Sequence, residues 1–337
     1  MNAFSKTLLI LLCQWFSLET LAQVVPYQPG AYYPGLANLR DFAADAPGFY
    51  IFNYSYFASS NGYFDRNGDE FTPTVVDGIP FDVPNPEVSG YINVPSVVYL
   101  SNFKLLGGNY QAMIQATYMH LDFDAVLVVG EPQPPLSGSV SGLGDLAVTP
   151  LGIAWSFNNT FDISFLYTAV MPTGRYDTEA EDNIGQGYWT HQFQAPAYVY
   201  FNDKATAIGI IPTLELNGRV TDVDAQIGNR FSLEYGVGQY VTEWLELELV
   251  GSSSWQISDD TGETIWWQGT PFYSRDQRHS VAAGIGVWPG VDWLNARVRY
   301  TTDYAARQSF KVNIFSFSFL FLPGQLKKQF TERTSSR

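Results

Sequence analysis

The sequence has little of what several classes of protein require. Its single cysteine, Cys13, lies within the first 22 residues, so the remaining chain can form no disulfide, thiol nucleophile or thiolate metal site. Only 15% of the 337 residues are charged, and 18 Lys and Arg stand against 33 Asp and Glu, for a formal net charge of −15. Because nucleic-acid affinity comes mainly from Lys and Arg contacts to phosphate, the composition argues against nucleic acid as a partner.

Long apolar runs are also missing. After residue 22 no stretch of 18 apolar residues occurs, and the best candidate, residues 310–322, is short and contains Lys311 and Asn313. This excludes α-helical membrane spans, which need about 20 predominantly apolar residues. Rings are nevertheless abundant, with 24 Phe, 21 Tyr and 9 Trp. Aromatic content of this kind in a chain without long apolar runs is typical of strands that face lipid on one side only.

The first 22 residues are predicted to be a secretory signal peptide. Lys6 provides the positive start, residues 7–16 an apolar run too short to span a bilayer, and Thr20 to Ala22 the small residues before a cleavage site. The alternative is a retained membrane anchor, which the short run and Glu19 disfavour. Lipidation of Cys13 is not expected, because the preceding Leu12 is not a small residue.

Apolar residues then recur with period two, which predicts β-strands. In the clearest case Tyr50, Phe52, Tyr54 and Tyr56 share one face while Asn53 lies on the other. Helical spacing is sustained nowhere for 12 residues. Twelve strands are expected, at residues 48–58, 91–103, 109–123, 144–157, 161–171, 189–201, 205–217, 230–241, 244–256, 278–288, 294–303 and 310–321.

The connections between these strands alternate in length. Short turns follow strands two, four, six, eight and ten, and longer connections separate the resulting pairs. The alternation indicates an all-β fold of one kind, a transmembrane antiparallel up-and-down barrel of about 12 strands with short periplasmic turns and long extracellular loops. The alternative is a soluble all-β protein with one wet face. The aromatic apolar face and the small polar residues of the other face favour the barrel.

Several short motifs resemble a family of bacterial outer-membrane proteins named for the meta-pathway of phenol degradation. Their order and spacing, rather than any one motif, carry the resemblance: Tyr33-Pro34-Gly35, Pro47-Gly48-Phe49-Tyr50, Asp65-Arg66-Asn67-Gly68, Gly142-Leu143-Gly144-Asp145-Leu146, Pro172-Thr173-Gly174-Arg175-Tyr176 and Asn183-Ile184-Gly185. The resemblance implies an outer-membrane β-barrel that passes small organic, including aromatic, solutes. The chain departs from such barrels in continuing past its last strand, through residues 323–337. Either Phe321 serves as the terminal insertion signal, or this basic tail packs in the periplasm.

Charged residues on the inward phase of the strands are the candidate functional residues. Glu246 and Glu248 are expected to face Arg297 and Arg299 in the periplasmic half of the barrel. Opposed charges of this kind either create a transverse field across a constriction or pair directly and brace a narrow barrel. Two further carboxylates, Glu215 and Glu234, are expected nearer the outer mouth.

Catalytic and metal sites receive little support. His279 and Ser280 are adjacent, so their side chains point to opposite faces, and no Gly-x-Ser-x-Gly motif occurs. His191 lies on the apolar phase of its strand. Asp65, Asn67 and Asp69 have the opening spacing of a Ca²⁺ loop, but Glu70 replaces its glycine. A solvated turn is expected there, with a divalent ion bridging to lipopolysaccharide as the alternative.

The predicted organisation is therefore a signal peptide (1–22), a Pro- and Tyr-rich segment (23–47) that either plugs the barrel or tethers it from below, a barrel (48–322) and a tail (323–337). We expect a passive outer-membrane channel of a Gram-negative bacterium, without enzymatic activity or cofactor, whose partners are membrane lipid, lipopolysaccharide and a small solute. The alternative is a non-conducting structural or receptor barrel that binds a partner through loops 59–90 and 257–277.

Overall fold

The computed structural model describes residues 30–325 with short gaps at 44–45, 61, 66, 71–73, 77–78, 83–85, 126–127, 130, 133–135, 159, 179, 181–182 and 263–274. The predicted signal peptide, residues 23–29 and residues 326–337 lie outside the described residues. The same is true of parts of the two long loops considered as partner-binding surfaces.

Within the described part of the chain, twelve strands form one closed ring, in which three of the strands are interrupted by a two-residue break. They are β1 (Gly48–Ser60), β2 (Glu87–Leu105), β3 (Gly108–Gln115 and Tyr118–Ala125), β4 (Leu136–Leu143 and Leu146–Phe157), β5 (Phe161–Met171), β6 (Thr190–Gln194 and Ala197–Phe201), β7 (Thr206–Asn217), β8 (Arg230–Tyr240), β9 (Leu245–Gln256), β10 (Gln277–Val287), β11 (Leu294–Arg307) and β12 (Asn313–Phe321).

Antiparallel pairing runs around the whole ring. Each strand pairs with its neighbours in sequence, and β1 closes the barrel by pairing with both β2 and β12. Ile51 lies opposite Phe321 on one side and Val97 on the other. The predicted fold class, a closed antiparallel barrel of about 12 strands, is therefore confirmed. A closed ring satisfies every strand edge, which is what a β-structure in lipid requires.

The side chains alternate between the two surfaces as the period-two pattern predicts. On β9, Leu247 and Leu249 are 43% and 55% exposed on the outside, whereas Glu246 and Glu248 between them are buried in the interior. The outer surface is aliphatic and aromatic and the inner positions of β7 to β11 are polar or small. The outer surface is therefore apolar around the barrel, as contact with lipid requires.

The aromatic row of β1 is oriented differently from the sequence-based expectation. Phe52, Tyr54 and Tyr56 were expected on the lipid-facing side, but they are buried and line the interior, whereas Ile51 and Phe57 are exposed on the outer surface. Both faces of β1 carry apolar residues, so the aromatic alternation could not show which one points outward.

The structure differs from the sequence-based expectation at β2 to β4. Residues 136–143, expected in a long loop, form the outer part of β4 and pair with residues 118–125 of β3. These two segments and the start of β2 continue the sheet beyond the level at which β5 ends, since Met171 pairs with Leu146. Five of the eight residues in 136–143 are Ser or Gly, and the apolar pattern is therefore too weak to predict this strand.

Small elements complete the described structure. Tyr63–Phe64 pairs with Ser309–Phe310 above the barrel wall, and four short strands form a separate small sheet at Thr74–Val76, Ile79–Asp82, Val128–Val129 and Glu131–Pro132. A single helical turn follows the last strand at residues 323–325. None of the described helical residues forms a helix of the length and apolarity needed to cross a membrane.

Candidate functional site: the barrel interior

Residues 30–43, called here the lumen segment, run along the inside of the barrel. At one end, near the long loops, the backbone N–H groups of Ala31 and Tyr32 both donate to Glu215 Oε1 at 2.9 Å. The Tyr32 hydroxyl donates to Glu234 Oε1. Two carboxylates from neighbouring strands, β7 and β8, thus hold the beginning of the described segment.

The middle of the lumen segment is held through its carbonyl oxygens. Arg299 Nη1 donates to the carbonyls of Gly35 at 2.8 Å and Ala37 at 2.6 Å. Ser252 Oγ donates to the carbonyl of Pro34 at 3.2 Å. These contacts satisfy backbone groups that would otherwise lack partners in an irregular segment inside the barrel.

The other end of the lumen segment lies near the short turns. The backbone N–H of Leu39 donates to Glu248 Oε2 at 3.1 Å, and Arg40 forms an ion pair with Glu246. Arg40 Nη2 also donates to the carbonyl of Ala205 at 3.1 Å, and its guanidinium lies 4.9 Å from the ring centroid of Tyr240. Arg40 therefore occupies the space between the lumen segment and the turns that end β6 and β8.

Glycines make this close approach possible. A Cβ on Gly238 would lie 3.2 Å from the Leu39 side chain and 2.9 Å from Glu246 Oε1. On the strand between the paired charges, a Cβ on Gly284 would lie 2.5 Å from Glu248 Oε1. Inward glycines on β8 and β10 thus leave room for the lumen segment and for side chains that reach across a strand.

The four predicted charges on β9 and β11 contact one another directly. Arg299 donates to Glu248 Oε1 through Nε at 2.8 Å and Nη2 at 2.7 Å. Arg297 pairs with Glu246 and lies 3.5 Å from Glu248 Oε2. All four side chains are buried. Of the two arrangements considered from the sequence, the structure has the direct pairs, and a role of these residues in a constriction stays a prediction.

Further ion pairs lie closer to the long-loop end of the same wall. Arg230 forms a bidentate pair with Asp276, which includes a contact of 2.6 Å from Nη1 to Oδ1. Arg278 lies 3.5 Å from Asp303 Oδ2 and 3.4 Å from the ring centroid of Tyr33. The sequence did not single out these residues, although Arg230 and Arg278 lie on the inward phase of their strands.

The opposite side of the interior is mainly apolar and bounds a cavity of about 610 Å³. Phe52, Tyr54 and Tyr56 of β1 stack in a row, with ring centroids 5.9 and 6.0 Å apart. Residues of β2 to β5 continue this surface, and the lumen segment closes the cavity on the remaining side through Leu36 and Phe42. The further lining residues include Ile92, Val94, Val98, Met113, Met119, Leu121, Leu166 and Val170.

The weak calcium motif folds as a turn. Asp65 Oδ1 accepts hydrogen bonds from the backbone N–H groups of Asn67 at 2.7 Å and Asp69 at 3.1 Å. The carboxylate is therefore engaged by its own loop, as in an Asx turn. Among the residues that the structure describes, no three His, Cys, Asp or Glu side chains are arranged to hold a metal ion.

A hydrogen-bonded pair of His279 and Ser253 was not predicted from the sequence. His279 does not meet its neighbour Ser280, which faces inward, but its Nδ1 lies 2.9 Å from Ser253 Oγ on the outer surface. Trp255 and Tyr304 flank the imidazole. Among the described residues none hydrogen-bonds the other ring nitrogen, where the base of a catalytic triad has its orienting group. His191 likewise faces outward, against Tyr167 and Trp189.

A family model provides the decisive comparison. The model of the family described as "Putative MetA-pathway of phenol degradation" matches residues 64–319. The chain belongs to this family. Together with the closed barrel and its greasy outer surface, membership places the protein in the outer membrane. No curated protein matches the chain in sequence.

Of three similar solved structures, one supports the fold. The COG4313 outer membrane channel from Pseudomonas putida F1 aligns with a TM-score of 0.64 over 85% of this chain and 99% of that one, at 12% identity. The transport unit of the autotransporter AIDA-I from Escherichia coli gives 0.45 over 85% and 93%, at 8% identity. A FadL homologue from Pseudomonas aeruginosa gives 0.39 over 81% and 89%, at 10% identity. At these identities the comparison with the COG4313 channel concerns the fold.

Proposed function

We propose that the protein is an outer-membrane channel for small apolar solutes and that the lumen segment controls passage through it. The observation that carries the proposal is the cavity of about 610 Å³ inside a closed barrel, bounded by aliphatic and aromatic side chains of β1 to β5. This volume lies in the range of cavities that hold small organic ligands, about 300–1,000 Å³. Polar lining residues such as Gln111, Gln115 and Gln192 are a minority, so a hydrophilic solute would regain only part of the hydrogen bonds that it loses with water, and the lining favours apolar solutes.

The charged residues of β7 to β11 hold the lumen segment in place. Glu215 and Glu234 fix one end of the segment, and Glu246 and Glu248 fix the other. The cavity therefore ends at the lumen segment, which these hydrogen bonds and ion pairs hold inside the barrel and which leads into β1. A solute in the cavity reaches the periplasm when the end around Arg40 moves away from the short turns. The proposed constriction thus includes Arg40 and Phe42 besides the strand charges.

Planar-bilayer conductance tests the role of the segment. A variant lacking residues 31–43 and the variant Arg40→Ala are compared with the wild-type protein. We expect the deletion to raise conductance strongly and Arg40→Ala to increase the frequency of opening, because both remove material from the short-turn end. Conductance unchanged by the deletion would show that the segment does not control the path. Lys104→Ala, in which an exposed cation outside the interior is removed, is the matched control.

Solute choice needs a second measurement. Proteoliposomes or cells that carry the protein are given an apolar solute and a sugar of similar size, and uptake of both is followed. We expect the protein to accelerate uptake of the apolar solute and to leave sugar uptake near the background rate. Faster uptake of the sugar than of the apolar solute would contradict the proposal and indicate a general porin.

The outer surface implies a lipid partner as part of the same proposal. Exposed rings such as Trp244 and Trp189 lie toward the two ends of the strands, where interfacial aromatics anchor barrels. Lipopolysaccharide is proposed to contact this outer surface at its end near the long loops. Protein that stays soluble without detergent would contradict this placement.

A further inference from the structure

Three polar groups at the outer end of the cavity have no hydrogen-bond partner among the described residues. They are the hydroxyl of Tyr188, the hydroxyl of Tyr176 and the side-chain oxygen of Gln186. Tyr188 is only 1% exposed, and its ring packs with Val220 and Ile227. Buried polar atoms are nearly always paired, because an unpaired one loses its hydrogen bonds to water without compensation.

The three groups belong to one place in the fold. They come from the connection between β5 and β6, residues 172–189, and all three residues line the cavity. Tyr176 lies against the backbone between the other two, since a Cβ on Gly187 would come within 2.7 Å of its ring. The connection itself is fixed, because Asp145 accepts hydrogen bonds from the backbone N–H groups of Gly174 at 2.9 Å and Gln186 at 2.8 Å.

The remaining lining of the cavity indicates what kind of ligand these three groups would contact. Below them the lining is mainly aliphatic and aromatic, with Ile92, Val94 and Leu166 among its residues. A solute that filled this cavity would therefore place an apolar body against β1 to β5 and one polar end against the loop. A polar end that donates one hydrogen bond and accepts another would satisfy both Gln186 Oε1 and a tyrosine hydroxyl.

We propose that the cavity binds an apolar solute with a single hydroxyl end group, which Gln186, Tyr188 and Tyr176 recognise. The hydroxyl donates to Gln186 Oε1 and accepts from a tyrosine O–H. A carboxylate is disfavoured at this point, because it would set acceptor against acceptor at Gln186 and would lie near the Asp145 carboxylate, whose Oδ2 accepts from the Gln186 backbone N–H. The inference rests on the proposed function and refines its solute class.

Binding of three matched probes tests the proposal. The full protein in amphipol is titrated calorimetrically with 1-decanol, with its methyl ether 1-methoxydecane and with decanoate. The ether keeps the chain and the acceptor but has no donor. We expect the ether to bind about five- to tenfold more weakly than the alcohol, the difference that one net hydrogen bond makes, and decanoate to bind more weakly than the alcohol.

Two conservative variants test whether the solute hydroxyl is bound at this end of the cavity. Tyr188→Phe removes the hydroxyl and keeps the ring. Because the alcohol and the ether both accept from this hydroxyl, both affinities should fall at least about threefold. The preference for the alcohol, which depends on its donation to Gln186 Oε1, should stay. Tyr198→Phe is the matched control. It removes a hydroxyl that is also buried and without a described partner, but Tyr198 is not among the residues that line the cavity.

The outcomes separate this inference from the function on which it rests. If none of the probes binds, the apolar-solute channel itself is contradicted. If alcohol and ether bind equally and Tyr188→Phe changes neither, the apolar cavity stands, but water satisfies the loop groups and the hydroxyl specificity is wrong. If Tyr198→Phe weakens the binding of both probes as Tyr188→Phe does, recognition does not take place at this end of the cavity.

Discussion

The two sides of the barrel interior have the same strand geometry but carry different side chains at their inward positions. The charged wall, β7 to β11, carries the buried carboxylates and arginines and is covered by the lumen segment. The apolar wall, β1 to β5, carries stacked rings and aliphatic side chains and borders the cavity. Both walls alternate outward and inward residues with period two. What differs is only which residues occupy the inward positions.

The difference shows what holds an irregular segment inside a barrel. The lumen segment has no strand partners, so its N–H and C=O groups need side-chain partners. Charged side chains give shorter and stronger hydrogen bonds than neutral ones, and here they contact the backbone at Ala31, Gly35 and Leu39. The apolar wall offers fewer such partners. The segment therefore lies mainly against one wall, and space remains along the other.

The largest expected effect follows from breaking one buried pair of the charged wall. Glu248→Ala leaves the guanidinium of Arg299 without its carboxylate and removes the acceptor of the Leu39 N–H. Removing one partner of a buried ion pair costs about 3–5 kcal/mol, mostly because the other charge stays buried and unpaired. We expect a loss of that size in the free energy of unfolding, measured by urea unfolding in detergent with heat-dependent gel mobility as the readout.

A double variant serves as its control. Glu248→Leu combined with Arg299→Met removes both charges and keeps apolar volume, so the part of the loss that comes from the unpaired charge should return. The part that comes from the backbone groups of Gly35, Ala37 and Leu39 should not, because their side-chain partners are still missing. Equal loss in the single and the double variant would show that packing, rather than an unpaired charge, explains the effect. Charge pairing would then no longer explain the stability of the charged wall.

Much of this arrangement could be predicted from the sequence. The period-two pattern and the alternating loop lengths predicted the number of strands and the inward orientation of Glu246, Glu248, Arg297 and Arg299. The same pattern placed the aromatic row of β1 on the wrong side. The pattern could not decide whether these charges face each other across open space. That depends on the residue between them, and the inward glycines of β10, such as Gly284, were the overlooked signal of close approach.

Contacts between residues that are far apart in the sequence could not be predicted. Tyr32 and Glu234 are 202 positions apart, and Ser253 and His279 come together only in the register of β9 and β10. Alternation fixes the face on which a residue lies, whereas its height in the barrel depends on the stagger between strands. The lumen segment, which has no alternation, could be recognised by composition but not placed. Whether it acts as a plug remains a proposal.

A substitution on the apolar wall should affect transport more than stability. Val94→Trp adds bulk to the cavity from β2 and should slow uptake of an apolar solute by about fivefold or more, because it narrows a cavity of about 610 Å³. Val97→Trp is the matched control, since Val97 belongs to the same strand but is 38% exposed on the outer surface. Uptake is measured in proteoliposomes. Equal slowing by both variants would show that the solute does not pass through this cavity.

The smallest effect is expected for an exposed ion pair. Arg275 Nε donates to Asp259 Oδ1 at 2.8 Å, a geometry as good as that of Arg299 with Glu248, yet the two side chains are 49% and 76% exposed. The Arg275 hydrogen bond and charge hold the pKa of Asp259 below its usual value. Solvent and salt screen such a pair, so Arg275→Ala should leave the urea midpoint and the conductance unchanged. A urea midpoint lowered as far as in Glu248→Ala would contradict this expectation. It would mean that the geometry of a charge pair, rather than its burial, determines how much the pair contributes to the stability of this barrel.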